Sequence, residues 1–100
     1  MKIRIERLNE LFELFDKRNE YSTEGMEQFD DKARSLAAYE KAFAIDKEIE
    51  AKETEIAREE DIATAFFVVR LMTAIYPVKS RSRVLKCLEV CGVEVINNAC

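Results

Sequence analysis

Residues 61–77 read Asp61-Ile62-Ala63-Thr64-Ala65-Phe66-Phe67-Val68-Val69-Arg70-Leu71-Met72-Thr73-Ala74-Ile75-Tyr76-Pro77, and their reading decides the fold. Asp61 suits a helix N-cap. Pro77 ends the helix, because proline disfavours helical geometry in the residue before it. Between them the apolar residues leave almost no polar face, so this helix needs cover on most sides. In so small a domain the other helices supply it, and a second subunit or a partner covers what they do not reach. The run is interrupted by Arg70 and is too short to span a bilayer.

Upstream, from Asp46 to Glu60, the apolar contacts thin to Ile49 and Ile56, with Ala51 and Ala57. The rest is mostly Lys and Glu, and nothing in it breaks a helix. This segment reads as a helix with a narrow contact face. Asp46 and Asp61 are both fit to cap a break, so the periodicity leaves open whether it continues the preceding helix. That preceding helix should begin between Glu24 and Asp30, with an apolar stripe of Phe29, Ala33, Leu36, Ala37, Phe43 and Ala44 and with Tyr39 at its edge. The first helix should run from Glu6 to Asn19, burying Ile5, Leu8, Leu11, Phe12 and Phe15. Residues 19–25 then read as a turn, in which Ser22 or Thr23 caps the next helix and Gly25 lies outside it. Three acid–base pairs have the favourable four-residue helical spacing: Glu13 with Lys17, Asp30 with Arg34, and Glu48 with Lys52.

Downstream of Pro77, Ser80 or Ser82 can cap a last helix that runs to Cys91, where Gly92 fits a C-terminal glycine. Val93-Glu94-Val95-Ile96 alternates as a strand does, and so does Lys2-Ile3-Arg4-Ile5. A short two-stranded ribbon joining the termini follows from that match. The chain has 100 residues, 2 glycines and 1 proline, too little punctuation for a β-rich fold. The expectation is therefore one all-α domain over residues 1–100: a small helical bundle of about four helices around a central apolar helix.

Composition narrows the chemistry. Apolar residues make up 48% of the chain, which excludes intrinsic disorder, and charged residues make up 36%, which suits amphipathic helices. Residues 1–60 hold 11 Lys/Arg against 17 Asp/Glu, whereas residues 61–100 hold 5 against 3. An acidic front argues against a simple nucleic-acid binder and against an anionic membrane. The N-terminus alternates charge without the apolar region of a signal peptide. The 3 cysteines, an odd number, suit a reducing cytoplasm better than a secreted scaffold. With no histidine, the chain lacks the commonest general base and metal ligand. Cys87, Cys91 and Cys100 fall short of a closed zinc site. Val84, Cys87, Leu88 and Cys91 read instead as the core face of the last helix. Gly25 and Gly92 are isolated, so no phosphate loop exists. The expectation is a protein without enzymatic activity, metal or cofactor.

Two local resemblances appear. Leu36-Ala37-Ala38-Tyr39-Glu40-Lys41-Ala42-Phe43-Ala44-Ile45-Asp46 resembles the second helix of a tetratricopeptide repeat, but it never recurs, and such arrays need several units. Ser80–Arg83, Val84-Leu85 with Leu88, then Gly92 and Val93–Ile96 are similar to the recognition helix and first wing strand of winged-helix regulators. That resemblance implies DNA binding through Lys79, Arg81, Arg83 and Lys86. The chain departs from it at Tyr76-Pro77 and in having no second wing strand.

Three functions follow. The first is a protein-interaction module, an inhibitor or adaptor that meets a larger protein or nucleoprotein assembly. It would use an acidic helical surface that includes Glu48, Glu50, Glu53, Glu55, Glu59 and Glu60. Small phage-encoded inhibitors that place carboxylates where phosphates would bind share its size, helicity and acidity. The second is the DNA-binding regulator. The third is a homo-oligomer built through residues 46–60.

Overall fold

Sparse turn chemistry leaves the chain four helices and two short strands: β1 (Lys2–Arg4), α1 (Ile5–Glu27), α2 (Lys32–Glu59), α3 (Ile62–Ile75), α4 (Arg81–Val90) and β2 (Glu94–Ile96). This computed structural model describes residues 1–77 and 80–97. Helices α1 and α2 form a long antiparallel hairpin, and the molecule measures 47 × 26 × 25 Å. α3 packs against α2, and α4, tied at its start to α1 by the Arg81–Asp16 pair, leads into β2. β1 and β2 pair in parallel, with Ile3 opposite Val95, so the ribbon joins the two ends of the fold. The all-α bundle with its terminal ribbon is as the sequence indicates.

The main core lies at the base of the hairpin. It unites Ile3, Leu8, Leu11, Phe12 and Phe15 with Ile45, Ile49 and Ile56 of α2, with Val68 and Met72 of α3, and with Val84, Leu88 and Val93. Phe15 and Tyr76 tilt against one another with ring centroids 5.1 Å apart. Asp61 caps α3 by accepting from the Thr64 N–H at 2.6 Å and the Thr64 hydroxyl at 2.9 Å. The break between the middle helices therefore falls at Asp61, and Asp46 lies inside α2, paired with Arg18. Beyond α4, the Gly92 N–H donates to the Glu89 carbonyl and the Val93 N–H to the Leu88 carbonyl. With Gly92 at φ 85°, this is a Schellman ending that aims the chain into β2.

Several sequence expectations fail, each for a physical reason. α1 does not stop at Asn19; it continues through Gly25 to Glu27, and the turn occupies residues 28–31. Gly25 serves close packing, not a turn: a Cβ there would sit 2.9 Å from the Tyr39 ring of α2. Asp31, not Ser22 or Thr23, caps α2 by accepting from the Arg34 N–H. The stripe assigned to the second helix faces the wrong way. Phe29, Leu36 and Phe43 are exposed, whereas Ala38, Ala42, Ile45, Ile49 and Ile56 are buried. α2 carries apolar residues on two opposite sides, and the side with the smaller residues packs, because α1 approaches too closely for phenylalanine.

α3 buries Thr64, Ala65, Val68, Val69 and Met72, and Phe67, Leu71 and Ile75 are half-buried against the core, so one side of the helix stays open. Ile62 and Phe66 remain exposed, with the Arg70 guanidinium 4.9 Å above the Phe66 ring. On α4, Val84 and Leu88 are buried, but Cys87 and Cys91 are exposed free thiols and not core residues. The narrow face that α4 turns inward reaches only two of the four positions.

Candidate interaction surface

Of the six glutamates singled out on α2, two belong to an internal charge cluster. Arg7 of α1 donates through Nε to Glu59 at 2.9 Å and through Nη1 to Glu10 at 3.0 Å. Lys52 bridges Glu10 and Glu55, at 2.6 Å from the latter. The cluster ties α1 to α2 at the base. The hydrogen bond from Arg7 holds the Glu59 carboxyl below the usual carboxylate range, and Lys52 does the same for Glu55. Arg7 and Lys52 are raised in turn, first of all by their bonds to Glu59 and Glu10. Glu48, Glu50, Glu53 and Glu60 make no ion pair among the described residues. At about 100° per residue Glu50 and Glu53 share one side of α2 and Glu48 lies on the opposite side, while Glu60 is the C-cap, so the four form no single patch.

The continuous acidic surface lies on α1. Glu6, Glu13, Asp16, Glu20, Glu24 and Glu27 are all exposed. Helical geometry puts them within roughly 60° of one line along the outer side of α1. Lys17 is the cation on that strip, and it pairs with no carboxylate among the described residues. The expected pairs of Glu13 with Lys17, Asp30 with Arg34 and Glu48 with Lys52 do not form; Arg34 reaches Asp31 at 3.5 Å instead. The strip was readable in principle, since Glu6, Glu13, Glu20 and Glu27 recur every seventh residue. A turn placed at residues 19–25 hides it, because it cuts the heptads in half.

The basic end of the molecule is partly used up. Lys79 lies outside the described residues. Arg81 donates to Asp16 at 2.9 Å and lies 5.0 Å over the Phe12 ring. Arg83 and Lys86 are exposed and make no ion pair among the described residues. Ser80 stands at the N-cap of α4 without a side-chain cap bond. β2 pairs with the N-terminal strand in parallel, where a wing would require an antiparallel hairpin. Tyr76 lies beside Asp16 and Arg81, its hydroxyl 3.5 Å from the Phe12 carbonyl oxygen. Burial, reinforced by the Asp16 charge, raises its pKa.

Among the described residues no three His, Cys, Asp or Glu side chains stand where they could hold a metal ion. A groove lined by Ile5, Ser82, Leu85, Lys86, Glu89 and Val93 among others runs between α4 and the ribbon. No helix among the described residues is long and apolar enough to cross a membrane. No protein-family model, curated protein or solved structure matches the chain.

Proposed function

We propose that this protein is a non-enzymatic, cytoplasmic interaction module, an inhibitor or adaptor that presents the outer side of α1 to a basic surface on a larger protein or nucleoprotein assembly. The acidic strip from Glu6 to Glu27 carries this reading: Glu6 pairs with Arg4 and Asp16 with Arg81, while Glu13, Glu20, Glu24 and Glu27 make no ion pair among the described residues. Its six carboxylates span about 32 Å at 1.5 Å per residue, or roughly one charge per 5 Å. Duplex DNA carries one per about 1.7 Å, so the strip has roughly a third of that line charge. That density suits electrostatic steering toward a basic groove more than phosphate-for-phosphate replacement. Affinity then comes from a few buried anchors in the contact, with the carboxylates setting approach and orientation.

The test is affinity capture from the host's lysate at low salt, with a Glu13→Lys, Glu20→Lys, Glu24→Lys variant alongside. The native chain should retain a protein with a basic surface, and its association rate should fall at least about tenfold toward physiological salt. The variant should lose that protein while keeping its helicity. Equal capture by both chains, or a salt-independent rate, contradicts the reading. Retention of duplex DNA, abolished by changes at Arg83 and Lys86, would replace it with the DNA-binding alternative.

A further inference from the structure

The outer side of α2 differs from that of α1: it carries Leu36 and Phe43, 60% and 62% exposed, with no neighbour over them in the fold. Each is followed by an alanine, and the pattern Leu36-Ala37, Phe43-Ala44, Glu50-Ala51 repeats every seven residues. Glu40 and Lys47 lie on the same line between the large residues, and both are exposed. A heptad of large and small residues on one helix face is the pattern by which two helices pack closely. Nothing in the α1–α2 hairpin uses it, because α1 occupies the opposite side along Ala38, Ala42, Ile45 and Ile49.

We propose that this face binds a second copy of the same chain, with the two α2 helices antiparallel about a twofold axis between Phe43 and Ala44. The register follows from charge. A twofold interface is self-complementary, so each residue on the face must suit its partner at the symmetric position. With the axis between Phe43 and Ala44, Glu40 faces Lys47 of the second copy, and this happens twice. The two Phe43 side chains then meet near the axis, level with Ala44 of the other copy, and Leu36 lies level with Ala51. Sliding the axis by half a heptad toward the N-terminus sets Glu40 against Glu40, and the same slide toward the C-terminus sets Lys47 against Lys47. Both put like charges at the closest approach. A full heptad toward the N-terminus leaves Glu40 and Lys47 without opposite charges, and it draws Phe29, outside the helix, into the seam. Of these registers, only the first sets acid against base.

The overlap from Ala33 to Thr54 is about 32 Å long, and a helix is about 10 Å wide. Such a strip is roughly 320 Å² on each chain, or about 640 Å² in all, less than a stable dimer needs, so the association is weak and reversible. The dimer leaves both acidic α1 strips facing outward. It stands or fails independently of what those strips bind.

Sedimentation equilibrium of the full chain from about 1 µM to 1 mM tests the proposal. A monomer–dimer equilibrium is expected. Glu40→Lys or Lys47→Glu alone should each weaken it at least tenfold, because each places two like-charge pairs in the seam. The double exchange E40K/K47E should restore it to within about threefold. Phe43→Glu should abolish it, with circular dichroism confirming that the exposed position leaves the helix content unchanged. A chain that stays monomeric up to 1 mM overturns the proposal. So does a dimer that is indifferent to both single reversals, or one that the double exchange fails to restore.

Discussion

The two helices of one hairpin present opposite outer faces. On α1 every seventh residue from Glu6 to Glu27 is a carboxylate, and Leu8, Leu11, Phe12 and Phe15 turn inward, with Met26 exposed in the last turn. On α2 phenylalanine and leucine turn outward, and the seam is filled by alanine and isoleucine. The difference shows that side-chain size does not decide which face is core. Approach distance does. Where Gly25 lets α1 meet the Tyr39 ring, the buried positions opposite are Ala38 and Ala42, and the bulky residues are displaced to the far side.

Neighbouring residues offer the sharpest way to break this comparison. Phe12 is buried and Glu13 is exposed on α1. Phe12→Ala should cost about 3–5 kcal/mol in urea denaturation, whereas Glu13→Lys should stay within about 0.5 kcal/mol. On α2 the sizes are inverted, with Ala42 buried and Phe43 exposed. Ala42→Leu should destabilise by about 1–3 kcal/mol through overpacking. Phe43→Ser, measured at a dilution that keeps the chain monomeric, should change stability by less than about 0.5 kcal/mol. If Phe43→Ser were the more damaging of the two, the assignment of faces would be reversed.

The smallest effect is in acid. Glu55, Glu59 and Asp61 have folded pKa values depressed below the ordinary range by Lys52, by Arg7 and by the Thr64 N–H respectively. A depressed carboxyl contributes stability above its unfolded pKa, near 4, and loses it as pH falls through the folded value. Melting temperature should therefore decline below about pH 4, shallowly, because these groups are open to solvent. Glu55→Gln with Glu59→Gln should flatten that decline, and an unchanged acid limb would show that the cluster contributes nothing to folding.

Much of the fold was legible. The inward face of α1, the stop at Pro77, the glycine ending at Gly92 and the alternation at both termini each follow from local rules. The wrong face of α2 did not follow, because hydrophobic periodicity ranks residues by size and α2 has two competing stripes. Gly25 misled for a related reason: a helix-interior glycine and a turn glycine look alike until the ring that needs the space is known. The six α2 glutamates were chosen by density along the chain. Density does not show that Glu55 and Glu59 are held by cations from within the same fold.

The parallel ribbon has a kinetic consequence. Glu94 donates its N–H to the Met1 carbonyl across almost the whole length of the chain. Closing a loop of that size from an open coil costs on the order of 4 kcal/mol, more than three residue pairs return at the moment they form. The strands therefore meet only after the helices have carried the ends together. Truncating Ile3, buried within β1, or Val93, buried at the entry to β2, should speed unfolding and leave the folding rate nearly unchanged. The expected behaviour of the ribbon is that of a latch, closed last and released first.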